Sequence, residues 1–449
     1  MKLRPYPEYR DSGLPWLGEI PKHWEVRRNG RLFAQRNQTG FANLPILEVS
    51  LRTGVRVRDF ENPARKQIMA DRDKYKRAAT GDIAYNMMRM WQGAVGVAPV
   101  EGLVSPAYVV ARPFPETEAR YFNYLFHTNV YMNEVDKYSH GIVKDRNRLY
   151  WDEFKQIPSA CPPTDEQKTI ADFLDTNAAM TRQLVRAKRR LIQLLNEQKQ
   201  AIIHKAVTRG LDSNVRLKPS GIDWLGDVPE HWDVKRLKYL AHLRSGDNIT
   251  SFEINKTGDY PVFGGNGLRG YTSTYTHDGE YILIGRQGAL CGNINYARGQ
   301  FWASEHAVVA TLGRGHNLIW FGELLRAMNL NQYSQAAAQP GLSVERIHNL
   351  CVPVPCSREQ TIIAAYIEAE AKEIDLGASN VRREIELLRE YCTRLISDVV
   401  TGKLDVRGVE LPALDETGVL DDFDIGEDFE AEEMDHSEEA EMVAQEGKA

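Results

Sequence analysis

Arginine can hold a guanine edge through two parallel hydrogen bonds, and asparagine or glutamine can hold adenine in the same way. Side chains of these types gather in two stretches of this 449-residue chain. The first stretch offers Asn86, Arg89, Trp91 and Gln92, followed by Lys144, Arg146 and Arg148. The second offers Arg244, Asn266, Arg269, Tyr271, Tyr275, Arg286 and Gln287. The aromatic members suit stacking on bases. The chemistry expected of both stretches is recognition of nucleic-acid bases, with surface or structural hydrogen bonding as the competing role for any single residue.

Bond-making chemistry finds much less support. Glu153-Phe154-Lys155 and Glu166-Gln167-Lys168 match half of a nuclease site, in which carboxylates hold a magnesium ion. The second string lies in a repeated segment whose other copy reads Glu359-Gln360-Thr361, without the lysine, so a shared catalytic duty is not expected. Phe263-Gly264-Gly265-Asn266-Gly267 fits the FxGxG pattern of amino-methyltransferases. No [DN]PP[YF] string accompanies it, however, and Tyr271-Thr272-Ser273-Thr274 follows in place of an amphipathic helix. No GxxxxGK[ST] loop is present to cradle nucleotide phosphates. The five cysteines show neither CxxC pairs nor zinc spacing; they imply no metal site and read as buried small apolar residues.

The elements that must position the base-reading side chains are written twice. SGLPWLGEIPKHWEV at 12–26 returns as SGIDWLGDVPEHWDV at 220–234, with nine of fifteen positions identical. Residues 149–212 align without a gap on 342–405, at an offset of 193 against 208 for the first pair. Each copy is thus a constant frame around a variable insert. The inserts read as short strands broken by Gly, Pro and Asn, as in ILEVSL, YVVARP, YILIG and HAVVATL. The paired tryptophans of the opening repeat read as the packed base of each insert rather than as a ligand pocket.

Each frame also predicts a long helix that opens on a capping box, Thr164 to Gln167 and Ser357 to Gln360. A bend is expected near Thr176-Asn177. In the second helix Val381, Ile385, Leu388, Cys392, Leu395 and Val399 recur at spacings of 4, 3, 4, 3 and 4, the seam of a coiled coil. Leu184, Leu191, Leu195 and Ile202 give a similar stripe in the first, and these four with Val381, Ile385, Leu388 and Leu395 are the candidates for helix pairing and partner docking. The first helix also carries Arg182, Arg186, Lys188, Arg189, Arg190, Lys199, Lys205 and Arg209 against Glu197 alone, a stripe suited to solvent, phosphates or an acidic partner.

The net charge of −6 combines two unlike regions. Residues 412–449 hold 15 of the 62 acidic residues and one of the 56 basic ones, which leaves 47 acids and 55 bases in the rest of the chain. Such a tail is too charged and too poor in apolar residues to fold alone, and a solvated disordered tail is expected, with a weak internal competitor for a DNA-binding groove as the alternative. The start, MKLRPYPEYR, has no apolar signal-peptide core, and no run of about 18 apolar residues occurs. A cytoplasmic protein is expected.

The paired SGxxWLGxxPxHWxV openings, the PxxxEQ helix starts at Pro162–Gln167 and Pro355–Gln360, and the VTxxLD ends resemble the specificity subunit of type I restriction-modification systems. GDIAYNMMRMWQGAVG and YILIGRQGALCGN are similar to inserts of that family. Thr181-Arg182, where the second copy has Ile374-Asp375, and the acidic tail depart from its pattern. The resemblance implies an α/β (α+β) fold with internal two-fold pseudosymmetry. Target-recognition domains at 1–150 and 213–343 would alternate with helical regions at 151–212 and 344–411 that pair as an antiparallel coiled coil, and residues 412–449 would form the tail. It further implies a non-catalytic subunit that reads the two halves of a split, asymmetric site in double-stranded DNA, with the helices setting the spacer. Two methyltransferase and two restriction-translocase subunits would be its partners, and S-adenosylmethionine, ATP and magnesium would belong to them. The alternatives are a DNA-modifying enzyme acting alone and a coiled-coil scaffold that does not touch DNA.

Overall fold

The computed structural model describes residues 3–51, 54–58, 72–141, 147–222, 224–288, 290–334 and 341–412. Lys144, Arg146 and the acidic stretch beyond 412 lie outside the described residues. The chain divides into two compact units, one of residues 1–188 with 383–449 and one of residues 189–382. Both divisions fall inside long helices, so each unit owns the start of one helix and the end of the other.

In the first unit, an antiparallel sheet runs in the order Phe33–Arg36, Tyr108–Pro113, Ile83–Asn86, Val95–Val97. Alternate residues serve two apolar faces, because the pleat sends neighbours to opposite sides. Ile83, Tyr85, Val109 and Ala111 join Phe122 and Phe126 of α1 (Ala119–Phe126) and Tyr131 of α2 (Asn129–Tyr138) in one core. Phe154 of the short α3 (Trp151–Phe154) completes that core. Ala84, Tyr108 and Val110 pack instead with Leu47, Val49, Val55 and Ala78.

The second unit solves the same problem with six strands. Their order is Ala241–Ser245, Ala307–Leu312, His277–Gly285, Ile294–Ala303, Tyr260–Gly264, Gly267–Thr272, antiparallel except where Tyr260–Gly264 meets Ile294–Ala303. Ile282, Ile284, Val308 and Ala310 share a core with Trp320, Phe321 and Leu324 of α5 (Leu318–Ala327) and Ile347 of α6 (Val344–His348). Leu283, Ala297, Phe301 and Val309 form the other face.

Both long helices start where the repeated motifs place them, α4 at Thr164–Arg209 and α7 at Ser357–Val400. Their first turns do more than cap. The expected reciprocal box is replaced by contacts to the neighbouring domain: Gln167 donates from Nε2 to the Pro162 carbonyl at 2.8 Å and accepts at Oε1 from the backbone N–H of Glu118, the N-cap of α1. Gln360 repeats the pattern with Pro355 and with Asn317, the N-cap of α5. Beside Gln167, the Glu166 carboxylate is buried and accepts from the Tyr6 hydroxyl at 2.7 Å and from the Trp24 indole at 3.0 Å, while His23 Nε2 lies 2.7 Å away. Burial, then the bond to Glu166, holds the Tyr6 hydroxyl far above its ordinary pKa, so it remains a donor. In the second unit Glu359 meets His231 at 3.0 Å beside the fully buried Trp232.

The helix ends complete each base. Gly402 lies so close to Pro21 and Trp24 that a Cβ would come within 2.3 Å of the Pro21 ring, and Gly210 abuts Trp232 and Glu359. Both glycines have positive φ, which ends a helix at no steric cost. The opening tryptophans are therefore structural, as their repetition suggested. Helix α4 is one continuous helix through Thr176 and Asn177, whose side chains bond back to the carbonyls four residues earlier, a contact that often bends a helix.

Within each unit the long helices are antiparallel partners. In the first, Thr181 lies beside Cys392 and Lys188 beside Glu384; in the second, Leu195 approaches Gly377 and Lys199 meets Asp375 at 2.6 Å. Val381, Ile385, Leu388, Cys392, Leu395 and Val399 of α7 all turn inward. In α4 the inward residues are Val185, Lys188, Ile192, Leu195, Lys199 and Ile202, spaced 3 and 4 apart. Leu184 and Leu191, expected in this seam, are instead 44% and 43% exposed. Leu195 and Ile202 hold their expected places, while Val185 and Ile192 take those of Leu184 and Leu191, and the lysines at 188 and 199 join the seam by burying their aliphatic stems and carrying their charge to a carboxylate at the rim. Lys188 and Lys199, read as members of a basic stripe, are thereby committed to the other helix. Arg190 lies 3.8 Å from Glu197.

Two outcomes follow for stability in urea denaturation of the full chain. Glu166→Ala strands three donors and is expected to cost about 3 kcal/mol, whereas Glu359→Ala, whose histidine partner is half exposed, is expected to cost about 1 kcal/mol. Ile385→Ala in the seam is expected to cost about 2–4 kcal/mol and Leu184→Ala, outside it, roughly 0.5 kcal/mol or less.

Candidate nucleic-acid interface

Strand register brings part of the second set of candidates to one end of a sheet. Ser245 ends its strand opposite Val308, and Gly285 ends its strand opposite Ala307. Arg286 and Gln287 follow Gly285 directly, and His306 precedes Ala307, with Arg286 N–H donating to the His306 carbonyl at 2.8 Å. The turn carrying Asn266 folds onto the same place. A Cβ at Gly265 would come within 2.9 Å of the His306 carbonyl oxygen, so only glycine lets this turn approach. Asn293 donates from Nδ2 to Asn266 Oδ1 at 3.4 Å, and His306 Nδ1 lies 3.1 Å from Gln287 Oε1.

Asn266 and Gln287 are exposed and Arg286 is half-buried. Arg269 is exposed with its stem against Gly264, and Arg244, near the end of the first strand, reaches within 3.7 Å of Asp247. Arg244, Asn266, Arg269, Arg286 and Gln287 therefore share one region. Tyr271 and Tyr275 do not belong to it. Tyr271 pairs with Pro261 toward the open end of the hairpin, and the Tyr275 ring packs on Tyr260 at 5.0 Å. His306 and Asn293 escaped the sequence reading because each flanks an apolar strand run and acquires its neighbours only through register.

In the first unit the turn after Ile83–Asn86 presents a smaller group. Asn86 is not available as a reader: it is buried, and its Oδ1 accepts from Met88 N–H at 2.9 Å, shaping the turn. Trp91 donates its indole N–H to the Met88 carbonyl and packs against the core. Gln92 remains exposed and Arg89 half-buried. Leu149 N–H donates to Met87 O at 2.8 Å, which stitches the Arg148 segment beside this turn.

Phe263–Gly267, which matched a methyltransferase pattern, is the close of a β-hairpin. Among the described residues, no group of three or more His, Cys, Asp or Glu side chains could hold a metal ion, and no helix is long and apolar enough to cross a membrane. Cys161 and Cys291 are buried, as expected of small apolar residues, while Cys356 is exposed.

Comparison with known proteins bears on the same residues. Residues 229–387 match the family model of the type I restriction modification DNA specificity domain. A segment of 170 residues is 40% identical to the type I restriction enzyme EcoprrI specificity subunit of Escherichia coli, covering 37% of this chain and 41% of that one. MjaX of Methanocaldococcus jannaschii, assigned as a type I restriction enzyme specificity subunit, is 24% identical over 423 residues, covering 87% of this chain and 96% of its own. The chain thus spans two fifths of the first relative and nearly all of the second. A solved chain, described in a study of complex assembly and conformational transition of the type I R-M system, shares the fold with a TM-score of 0.64 at 15% identity, over 86% of this chain and 99% of its own. With repeated frames, paired helices and a matched specificity domain at residues 229–387, the chain is similar to the specificity subunits of type I restriction-modification systems.

Proposed function

We propose that this chain reads a split DNA site for a type I restriction-modification complex, one half through each β-rich domain. The observation that carries this reading is the sheet end where Arg286, Gln287 and Asn266 converge on backbone fixed by close glycine contacts. Rigid strand ends hold such side chains to the tolerance that two-bond recognition of a base requires. Arg244 and Arg269 beside them suit phosphates, which position the duplex without specifying its sequence. The first unit, with Arg89, Gln92 and Arg148 on an equivalent frame, reads the other half.

The chain performs no bond chemistry itself. Methyl transfer and cleavage belong to two methyltransferase and two restriction-translocase subunits, which bring S-adenosylmethionine, ATP and magnesium. The paired helices set the spacer, and the outward Leu184 and Leu191 offer apolar contacts to the methyltransferase subunits. The complex works in the cytoplasm, where its DNA is.

Mapping methylated adenines genome-wide, in cells with and without the chain, tests this reading. A bipartite methylated motif should appear only when the chain is present. Exchange of residues 234–339 for the insert of a relative should change one half of that motif and leave the other intact; a change in both halves would defeat the modular assignment. Arg286→Ala should weaken binding to the cognate duplex by about 1–3 kcal/mol and relax selection at one position, as measured by titration against single-mismatch duplexes.

A further inference from the structure

Phe252 is 95% exposed, the most exposed large hydrophobic side chain among the described residues. It does not sit on a slack loop. It occupies the 3-10 turn Ser251–Glu253, closed by a capping box in which Thr250 donates to the Glu253 carboxylate from its backbone N–H at 2.9 Å and from its hydroxyl at 2.7 Å. Those bonds hold the Glu253 carboxyl below its ordinary range, so the lock stays ionised and shut at neutral pH.

The loop is fastened at both ends. Gly246 N–H donates to the Ala307 carbonyl and Asp247 bridges to Ser304, while Asn255 and Tyr271 exchange two backbone bonds of 2.8 and 2.9 Å. A Cβ at Gly270 would strike the Asn255 carbonyl oxygen at 2.6 Å, so the second fastening needs that glycine. The loop leaves its strand at the sheet end that carries Asn266, Arg286 and Gln287.

From this geometry we propose that Phe252 is a wedge that enters between stacked bases of the DNA held by the second unit, an inference that rests on the DNA-reading function above. A protein-docking surface would gather several apolar side chains around a centre. Here the neighbours in sequence are Thr250, Ser251, Glu253, Asn255 and Lys256, with Ile254 alone apolar and only half-exposed. A rigid aromatic on an otherwise polar segment is what unstacking a base step requires, and Arg244 and Lys256 on the same segment suit the flanking phosphates. Glu253, the adjacent acid, is engaged by Thr250.

The test uses the full chain and duplexes bearing the mapped site, with 2-aminopurine placed at successive positions of the half read by the second unit. Wild-type protein should brighten the probe at one step. Phe252→Ala should abolish that signal and weaken cognate binding about tenfold, the loss of one aromatic–base stack, while keeping the wild-type melting temperature. Phe252→Trp should retain both. An abasic site placed at the brightened step should restore Phe252→Ala binding more than wild-type binding, which a merely structural residue would not produce. If wild type discriminates the site but brightens no probe, or if Phe252→Ala binds and brightens as wild type does, the wedge is overturned and the DNA-reading function stands. If wild type fails to discriminate any duplex, both fall together.

Discussion

Two adjacent side chains at the start of each long helix bear the join between helix and recognition domain. Gln167 and Gln360 are buried amides whose two ends are satisfied by different elements, the chain just before the helix and the capping residue of α1 or α5. A buried amide left half-paired would cost about 1–3 kcal/mol, so the geometry of those three elements is mutually enforced. Glu166 adds a buried carboxylate that gathers Tyr6, His23 and Trp24 from the opening repeat. Inserts can diverge above this base because Gln167 and Gln360 hold them through backbone N–H groups, which any residue supplies.

The two copies are not equally tight. Glu166 has three partners, whereas Glu359 has His231, and among the described residues the Trp232 indole N–H has no hydrogen-bond partner. The position matching Tyr6 is Asn214, too short to reproduce the third contact. The helices diverge in a similar way. The pairs Lys188–Glu384 and Lys199–Asp375 correspond, by the 193-residue offset, to Val381 with Leu191 and to Cys392 with Arg182, where no such ion pair can form. Charge in the seam therefore contributes to the identity of this helix pair more than to its stability, since each rim-exposed ion pair is worth about 0–1 kcal/mol.

Specific geometry does not favour the competing functions. A lone methyltransferase would need its glycines to open a helix at a cofactor, but they close a hairpin against His306. The nuclease-like Glu166-Gln167-Lys168 has its first two side chains turned into the structural base. A bare coiled-coil scaffold would leave unexplained the gathering of Arg, Asn and Gln side chains on glycine-fixed turns.

By itself the sequence determined the repeated frame, the two helix starts, the seam of α7, the β-rich character of the inserts and the family resemblance, because these are local periodicities and motifs that a single chain displays without folding. Tertiary structure decided the rest. Leu184 and Leu191 have the right spacing for a seam, but rotation of α4 against α7 is set by both partners at once, and it favours Lys188 and Lys199 with their carboxylates. Asn86 has the right chemistry for adenine, yet its neighbours bury it in the turn it shapes. Arg286, Gln287, Asn266 and His306 span 41 residues of sequence and meet only because strand register and a missing Cβ at Gly265 bring three connections together. Contacts of that kind depend on pairing between distant segments, which no local pattern encodes.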